Sequence, residues 1–163
     1  VSGVSWHLIG HLQKNDINKA LPIFDLIQTV ESFGKAKHID KRVEKAGKSM
    51  IPVLIEVNSA REESKYGAPP EYNKLRDLIQ RCKELSHIRI KGLMTMGPFV
   101  DDAEQIRPYF RKTRELFEDL SEENIEGCEM EILSMGMSNS YQVAVEEGAN
   151  MVRVGSAIFG PRK

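Results

Sequence analysis

The stretch EILSMGMSNSYQVAVEEGANMVRVGSAIFG, residues 131–160, decides the reading of the fold. It opens on a short apolar run, Glu131–Ser134, and breaks at Met135-Gly136-Met137-Ser138. An amphipathic segment follows, Asn139–Glu147, and then a second apolar run, Met151–Gly155. Strand, helix and strand in that order form a βαβ unit. Its two strands run parallel because the helix carries the chain back to the starting end of the sheet. Gly155-Ser156 then begins another turn, leading into a short helical Ser156–Gly160.

The same alternation extends upstream. Apolar runs at Ser5–Ile9, Asp25–Val30, Pro52–Asn58 and Ile88–Met96 read as strands. The spacing predicts helices over Asn15–Leu21, Ser32–Ala46, Glu71–Glu84 and Ala103–Leu120 between them. Leu75, Leu78, Ile79 and Cys82 fall on one helical face, as do Tyr109, Phe110, Thr113, Leu116, Phe117 and Leu120. Pro52, Pro69, Pro70 and Pro98 sit at joints or a strand start, where a missing N–H costs least. Strands apolar on both faces imply a mostly parallel sheet covered by helices. Two α/β architectures satisfy this: an open doubly wound sheet, or part of a (β/α)8 TIM barrel.

Complete barrels run to roughly 200 residues or more, so a barrel reading leaves the chain short by about two βα units. The sequence starts at Val1 and enters an apolar stretch at once. The expectation is a single partial barrel domain over residues 1–163, truncated at its N-terminus. Unpaired strand edges would then make the chain poorly soluble on its own.

Charge is nearly balanced, with 23 basic and 24 acidic residues, which supplies no electrostatic argument for nucleic acid or an anionic membrane. No apolar run approaches the roughly 18 residues of a membrane span, and no segment reads as a signal peptide. The two cysteines, Cys82 and Cys128, stand far apart in no metal-ligand spacing. They fit a reducing compartment, as packed or surface thiols. The cytoplasm is the expected location.

Two small-residue turns carry the candidate chemistry. In Ser134-Met135-Gly136-Met137-Ser138 the strand gives way to a helix. Ser138 is a good N-cap residue, Gly136 lets backbone approach a ligand, and a helix N-terminus suits a phosphate. Alone, this segment is as well explained by a plain capped turn. Gly155-Ser156 supplies the second turn, and in a barrel the loops after strands 7 and 8 lie side by side and commonly bind phosphate. Arg153, amid Met151, Val152 and Val154, belongs to a buried strand and needs a partner. That partner is either a carboxylate such as Glu56 or Glu131, or a ligand atom beside the phosphate. An arginine stays protonated, so it would hold a heterocyclic nitrogen as an acceptor.

Six segments occur in a telling order: WHLIGHLQ (Trp6–Gln13), VLIEVN (Val53–Asn58) with REESKYG after it, KGLMTM (Lys91–Met96), RPYF (Arg107–Phe110), LSMGMS (Leu133–Ser138) and VRVGSAIFG (Val152–Gly160). Together they resemble the YggS/PROSC family of pyridoxal phosphate homeostasis proteins, which are similar to the N-terminal barrel domain of alanine racemase. The resemblance runs from Trp6 to the end of the chain. It implies a cytoplasmic, non-catalytic protein that binds pyridoxal 5'-phosphate and moderates its free level, affecting vitamin B6 and amino-acid balance. Apoenzymes that depend on pyridoxal phosphate are the partners it implies. By motif, Ser134, Met135, Gly136, Ser138, Gly155 and Ser156 would surround the phosphate, and Arg153 would face the pyridine nitrogen. The family's Schiff-base lysine lies on the first barrel strand, upstream of every residue present. Lys91 lies early in its strand, Lys65 on a loop and Lys163 at the end, so the expectation is phosphate binding without a covalent bond to this chain.

Other constellations read more plainly. His7 and His11 do not share a helical face, which argues against a metal pair, although His11 follows a strand and can line a pocket. Asn58 and Thr95 end strands and can touch a ligand or cap backbone. Met94, Met96, Met135 and Met137 either fill core or wall a flat ring. Glu62–Lys65 and the helix Asp101–Glu118 read as solvated faces, and neither needs a partner to explain it. Two further functions remain open: an alanine racemase-type enzyme, disfavoured because no following domain supplies a second base, and a barrel for another phosphorylated metabolite.

Overall fold

The computed structural model describes residues 3–160. Its strands are β1 (His7–Leu8), β2 (Leu26–Val30), β3 (Ile51–Glu56), β4 (Ile88–Met94), β5 (Cys128–Met137) and β6 (Met151–Arg153). The helices are α1 (Ile17–Ala20), α2 (Phe33–Lys45), α3 (Tyr72–Cys82), α4 (Arg107–Glu122), α5 (Tyr141–Glu146) and α6 (Ser156–Phe159), with a 3-10 turn at Ala103–Ile106.

All strand pairs are parallel and the spatial order is the sequence order, β1 through β6. That order excludes the doubly wound alternative, in which the strand order reverses at a switch point. Consecutive right-handed crossovers instead put every helix on one side, and the sheet curls away from them. The curl shows in a hydrogen bond between strands that are not neighbours. Ser134 Oγ on β5 donates to Gln28 Oε1 on β2 at 2.7 Å.

Alternation along the strands divides two interiors. Ile27, Val53, Ile55, Leu93, Leu133 and Met135 face the helices and meet Ile39, Leu75, Ile79, Phe110 and Leu116 in the main core. Each such fully buried side chain contributes about 2 kcal/mol by leaving water. On the concave side Leu26, Leu54 and Met94 form a small apolar layer, flanked by Met96 and Ile132. Two residues further along the same strands, Gln28, Glu56 and Ser134 are buried polar groups. The concavity is therefore apolar below and polar toward the C-terminal ends of the strands.

Several expectations need correction. Helix α5 begins at Tyr141 with Ser140, not Ser138, at its N-cap position. The Asp101–Glu118 helix is not merely a solvated face. Arg107 donates to Glu104 (2.7 Å), Glu146 (2.6 Å) and Glu147 (3.0 Å), and Arg111 to Glu147 (3.1 Å). Glu147 is buried, and these arginines hold its carboxyl below the usual carboxylate range while fastening α4 to α5. The Glu62–Lys65 run also has partners. Lys65 Nζ donates to Glu62 (2.7 Å) and to the carbonyl of Gly97 (3.1 Å), which folds this loop over the rim.

Candidate functional site

Ser138, Arg153, Gly155 and Ser156 line one open cleft of about 960 Å3 at the C-terminal ends of the strands. The two loops meet through one side chain. Ser138 Oγ accepts hydrogen bonds from the amides of Gly155 and Ala157, both at 3.2 Å. A single oxygen thus already collects two N–H groups of the last loop.

Arg153 enters the cleft from β6. Its Nη1 donates to Ser134 Oγ at 2.8 Å and its Nη2 to the carbonyl of Thr95 at 2.8 Å. Its Nε is buried without a partner. Neither suggested carboxylate pairs with it: Glu131 bonds Lys91 (3.1 Å), and Glu56 acts on Arg153 only through its field. Burial pushes the guanidinium down to about 10, against the pull of Glu56. The guanidinium is held flat and fixed, with its Nε and one N–H on each terminal nitrogen left over.

The other site residues divide. Ser134 is fully buried beneath the cleft and takes part by orienting Arg153. Met135 does not line the cleft; its side chain lies in the helix-facing core. Gly136 has a different reason from the one expected. At φ +88° a Cβ there would lie 2.5 Å from the Cβ of Ala144 and 3.0 Å from Tyr141 Cα, so glycine is needed for α5 to pack on β5.

The sequence reading missed Gln28. Its Oε1 accepts from Ser134, and its Nε2 lies 3.2 Å from His7 Nδ1 and 3.2 Å from the sulfur of Met151. A glutamine within the apolar LIQTV run was the available signal. It also missed Lys35, which is buried and paired with Glu31 at 2.9 Å. His11 stacks on Tyr66 with ring centroids 3.7 Å apart, away from His7. Among the described residues no three metal-ligating side chains gather.

A parallel, sequentially ordered β/α sheet that curls away from its helices, with two converging loops at its C-terminal rim, defines the class of partial β/α barrels. The sequence matches the family described as alanine racemase, N-terminal domain, over residues 3–163. It is 41% identical to the pyridoxal phosphate homeostasis protein of Aquifex aeolicus, over 98% of this chain and 68% of that protein. To the human pyridoxal phosphate homeostasis protein it is 38% identical, over 98% of this chain and 59% of that one. The structure of PipY from Synechococcus elongatus with pyridoxal phosphate bound superposes with a TM-score of 0.85 at 30% identity, covering 98% of this chain and 72% of PipY. An alanine racemase from Clostridium difficile shares the fold, with a TM-score of 0.74 at 17% identity. The chain belongs to the pyridoxal phosphate homeostasis protein family, and it spans between about three fifths and two thirds of the length of these curated relatives.

Proposed function

We propose that this chain binds pyridoxal 5'-phosphate, and that the protein moderates the level of the free cofactor. The observation that carries the reading is the convergence of the Gly155 and Ala157 amides on Ser138 Oγ beside a half-buried Arg153 with donors to spare. The residues fit the group. The Ser138 oxygen accepts from the Gly155 and Ala157 amides, which leaves its own O–H to donate to a phosphate oxygen between the two loops, and Arg153 has N–H groups beyond those taken by Ser134 and Thr95 to offer a ring acceptor. When bound, the cofactor supplies an aldehyde that reacts reversibly with primary amines.

The residues of this chain bind and orient. Ser134 and the Thr95 carbonyl fix the guanidinium plane, and Gln28 fixes Ser134 from across the concavity. An arginine protonated at neutral pH leaves the ring nitrogen unprotonated, which lowers the ring's capacity to accept electrons and supports binding over turnover. No lysine lines the cleft among the described residues. Lys91 is engaged by Glu131 and Glu129 at the opposite end of the strands, and Lys65 by Glu62 and Gly97. Non-covalent holding by this chain is the corresponding proposal, with apoenzymes that need pyridoxal phosphate as recipients and the cytoplasm as location. No helix among the described residues is long and apolar enough to cross a membrane.

The finer fold reading is that about two further βα units close the sheet into a (β/α)8 barrel between β6 and β1. It is supported by the greater length of the relatives and by apolar side chains exposed near both edges, Trp6 and Phe159 among them.

The test is a titration of the chain with pyridoxal phosphate, pyridoxal and inorganic phosphate. Pyridoxal phosphate should bind, pyridoxal far more weakly, and phosphate should compete. Equal binding of pyridoxal would overturn the assignment of the two loops. Borohydride reduction and peptide mapping would expose a covalent site. A stoichiometric pyridoxyl adduct on a lysine of this chain refutes non-covalent holding.

A further inference from the structure

A second cavity, of about 260 Å3, opens on the same rim over the ends of β1, β3 and β4, with Ile9 and Met96 shared between its wall and the cleft. Glu56 lines it and is only 7% exposed. The Glu56 side chain has no hydrogen-bond or ion-pair partner among the described residues. The cations nearby are already engaged. Lys35 Nζ pairs with Glu31 at 2.9 Å and lies 3.4 Å from His11 Nδ1. Lys65 Nζ is held by Glu62 and Gly97, and the terminal nitrogens of Arg153 by Ser134 and Thr95.

A carboxylate buried without a partner either stays protonated or awaits a cation. Ile9, Val57 and Met96 give the rest of the cavity an aliphatic lining, and the stacked His11–Tyr66 pair forms a flat polar flank. One anionic point at the edge of a small apolar chamber matches a short alkyl chain ending in an ammonium group. The same chamber has no free cation to match a second anion. We infer that this cavity is a binding site for a small aliphatic primary ammonium ion, held by Glu56. The inference goes beyond the cofactor reading and does not rest on it, since Glu56 lies on β3 and not on the loops of Ser138 and Gly155.

Calorimetric titration of the chain with n-butylammonium chloride tests this, with n-butanol as the neutral isostere. Saturable binding is expected at pH 8.5, and none with butanol. Burial and the neighbouring Glu31 push Glu56 up to about 7, against Lys35 and Arg153. At pH 5.5 about 3% of such a carboxyl is ionised, so affinity should fall about thirtyfold while the ligand keeps its charge. Glu56→Gln should weaken binding at pH 8.5 at least tenfold. No binding at pH 8.5, equal binding of butanol, or affinity independent of pH would each overturn the site. If Glu56→Gln fails to fold, the wild-type pH series and the butanol comparison still decide. Pyridoxal phosphate binding, measured separately, shows whether only one of the two assignments has failed.

Discussion

Ser138 Oγ lies 3.2 Å from the amide nitrogen of Gly155, although the two residues belong to successive βα loops. This contact joins the ends of β5 and β6 and sets the spacing of their two loops. The Ser138 oxygen is taken up by two amides, so its hydroxyl proton is the group left to meet an anion.

Ser138→Ala removes the hydroxyl that can donate to a phosphate oxygen and unties the Gly155 and Ala157 amides from the preceding loop. Affinity for pyridoxal phosphate and for inorganic phosphate should fall together, by about tenfold, the effect of roughly 1.4 kcal/mol from one lost hydrogen-bonding group. Fluorescence titration with both ligands measures it. A drop for one ligand only would separate Ser138 from the phosphate.

Arg153→Lys keeps the charge but cannot bridge Ser134 and the Thr95 carbonyl as a planar fork does. One buried acceptor loses its donor, at a cost of about 1–3 kcal/mol, visible as a lower midpoint in urea. Affinity for pyridoxal phosphate should fall while that for inorganic phosphate stays unchanged, if the guanidinium meets the ring as proposed. Equal losses would place Arg153 at the phosphate.

Glu56 makes stability depend on pH in the direction opposite to most carboxylates. Its folded value is pushed up to about 7 from 4.5, so the folded state binds the proton more tightly. Its stabilising contribution is present in full below about pH 4.5 and is lost as pH rises through about 7, a change on the order of 3 kcal/mol. Glu129, Glu147 and other carboxylates held low by arginine or lysine work the other way at more acidic pH. The difference between wild type and Glu56→Gln isolates the effect. Parallel stability curves for the two proteins between pH 5 and 8 would contradict it.

Gly92→Ala tests the close approach of β4 and β5. Gly92 has φ +144°, and a Cβ there would stand 1.9 Å from the carbonyl oxygen of Ile132, at a register shift between Ile90 and Gly92. Backbone cannot yield as a flexible side chain does, so a loss of about 3 kcal/mol or more is expected. Thermal denaturation should show a midpoint lower by roughly 10 °C for a domain of this size.

The edges of the sheet predict association. Trp6 is 55% exposed near β1, and Phe159 85% exposed beyond β6. Strand edges flanked by apolar side chains pair with other copies. Sedimentation of the chain should show oligomers growing with concentration, and a monomer with a cooperative melt would contradict the partial-barrel reading.

The linear order of apolar runs and amphipathic segments was enough to locate the six strands and most helices. Local spacing determines which face of a helix is buried, and Leu75, Leu78, Ile79 and Cys82 are all buried as their spacing requires. The motifs likewise pointed to the two loops and to Arg153, because glycine and serine at strand ends and a charge within an apolar run are visible one residue at a time. Curvature is not local. Only the closed packing of helices on one side brought Gln28 against Ser134, which no spacing in the chain could announce. The fold also assigned roles that residue type alone leaves open. Gly136 makes room for a helix, Met135 turns into the core, and Glu56 stands unpaired in a cavity, because each depends on which face of its strand the curled sheet encloses.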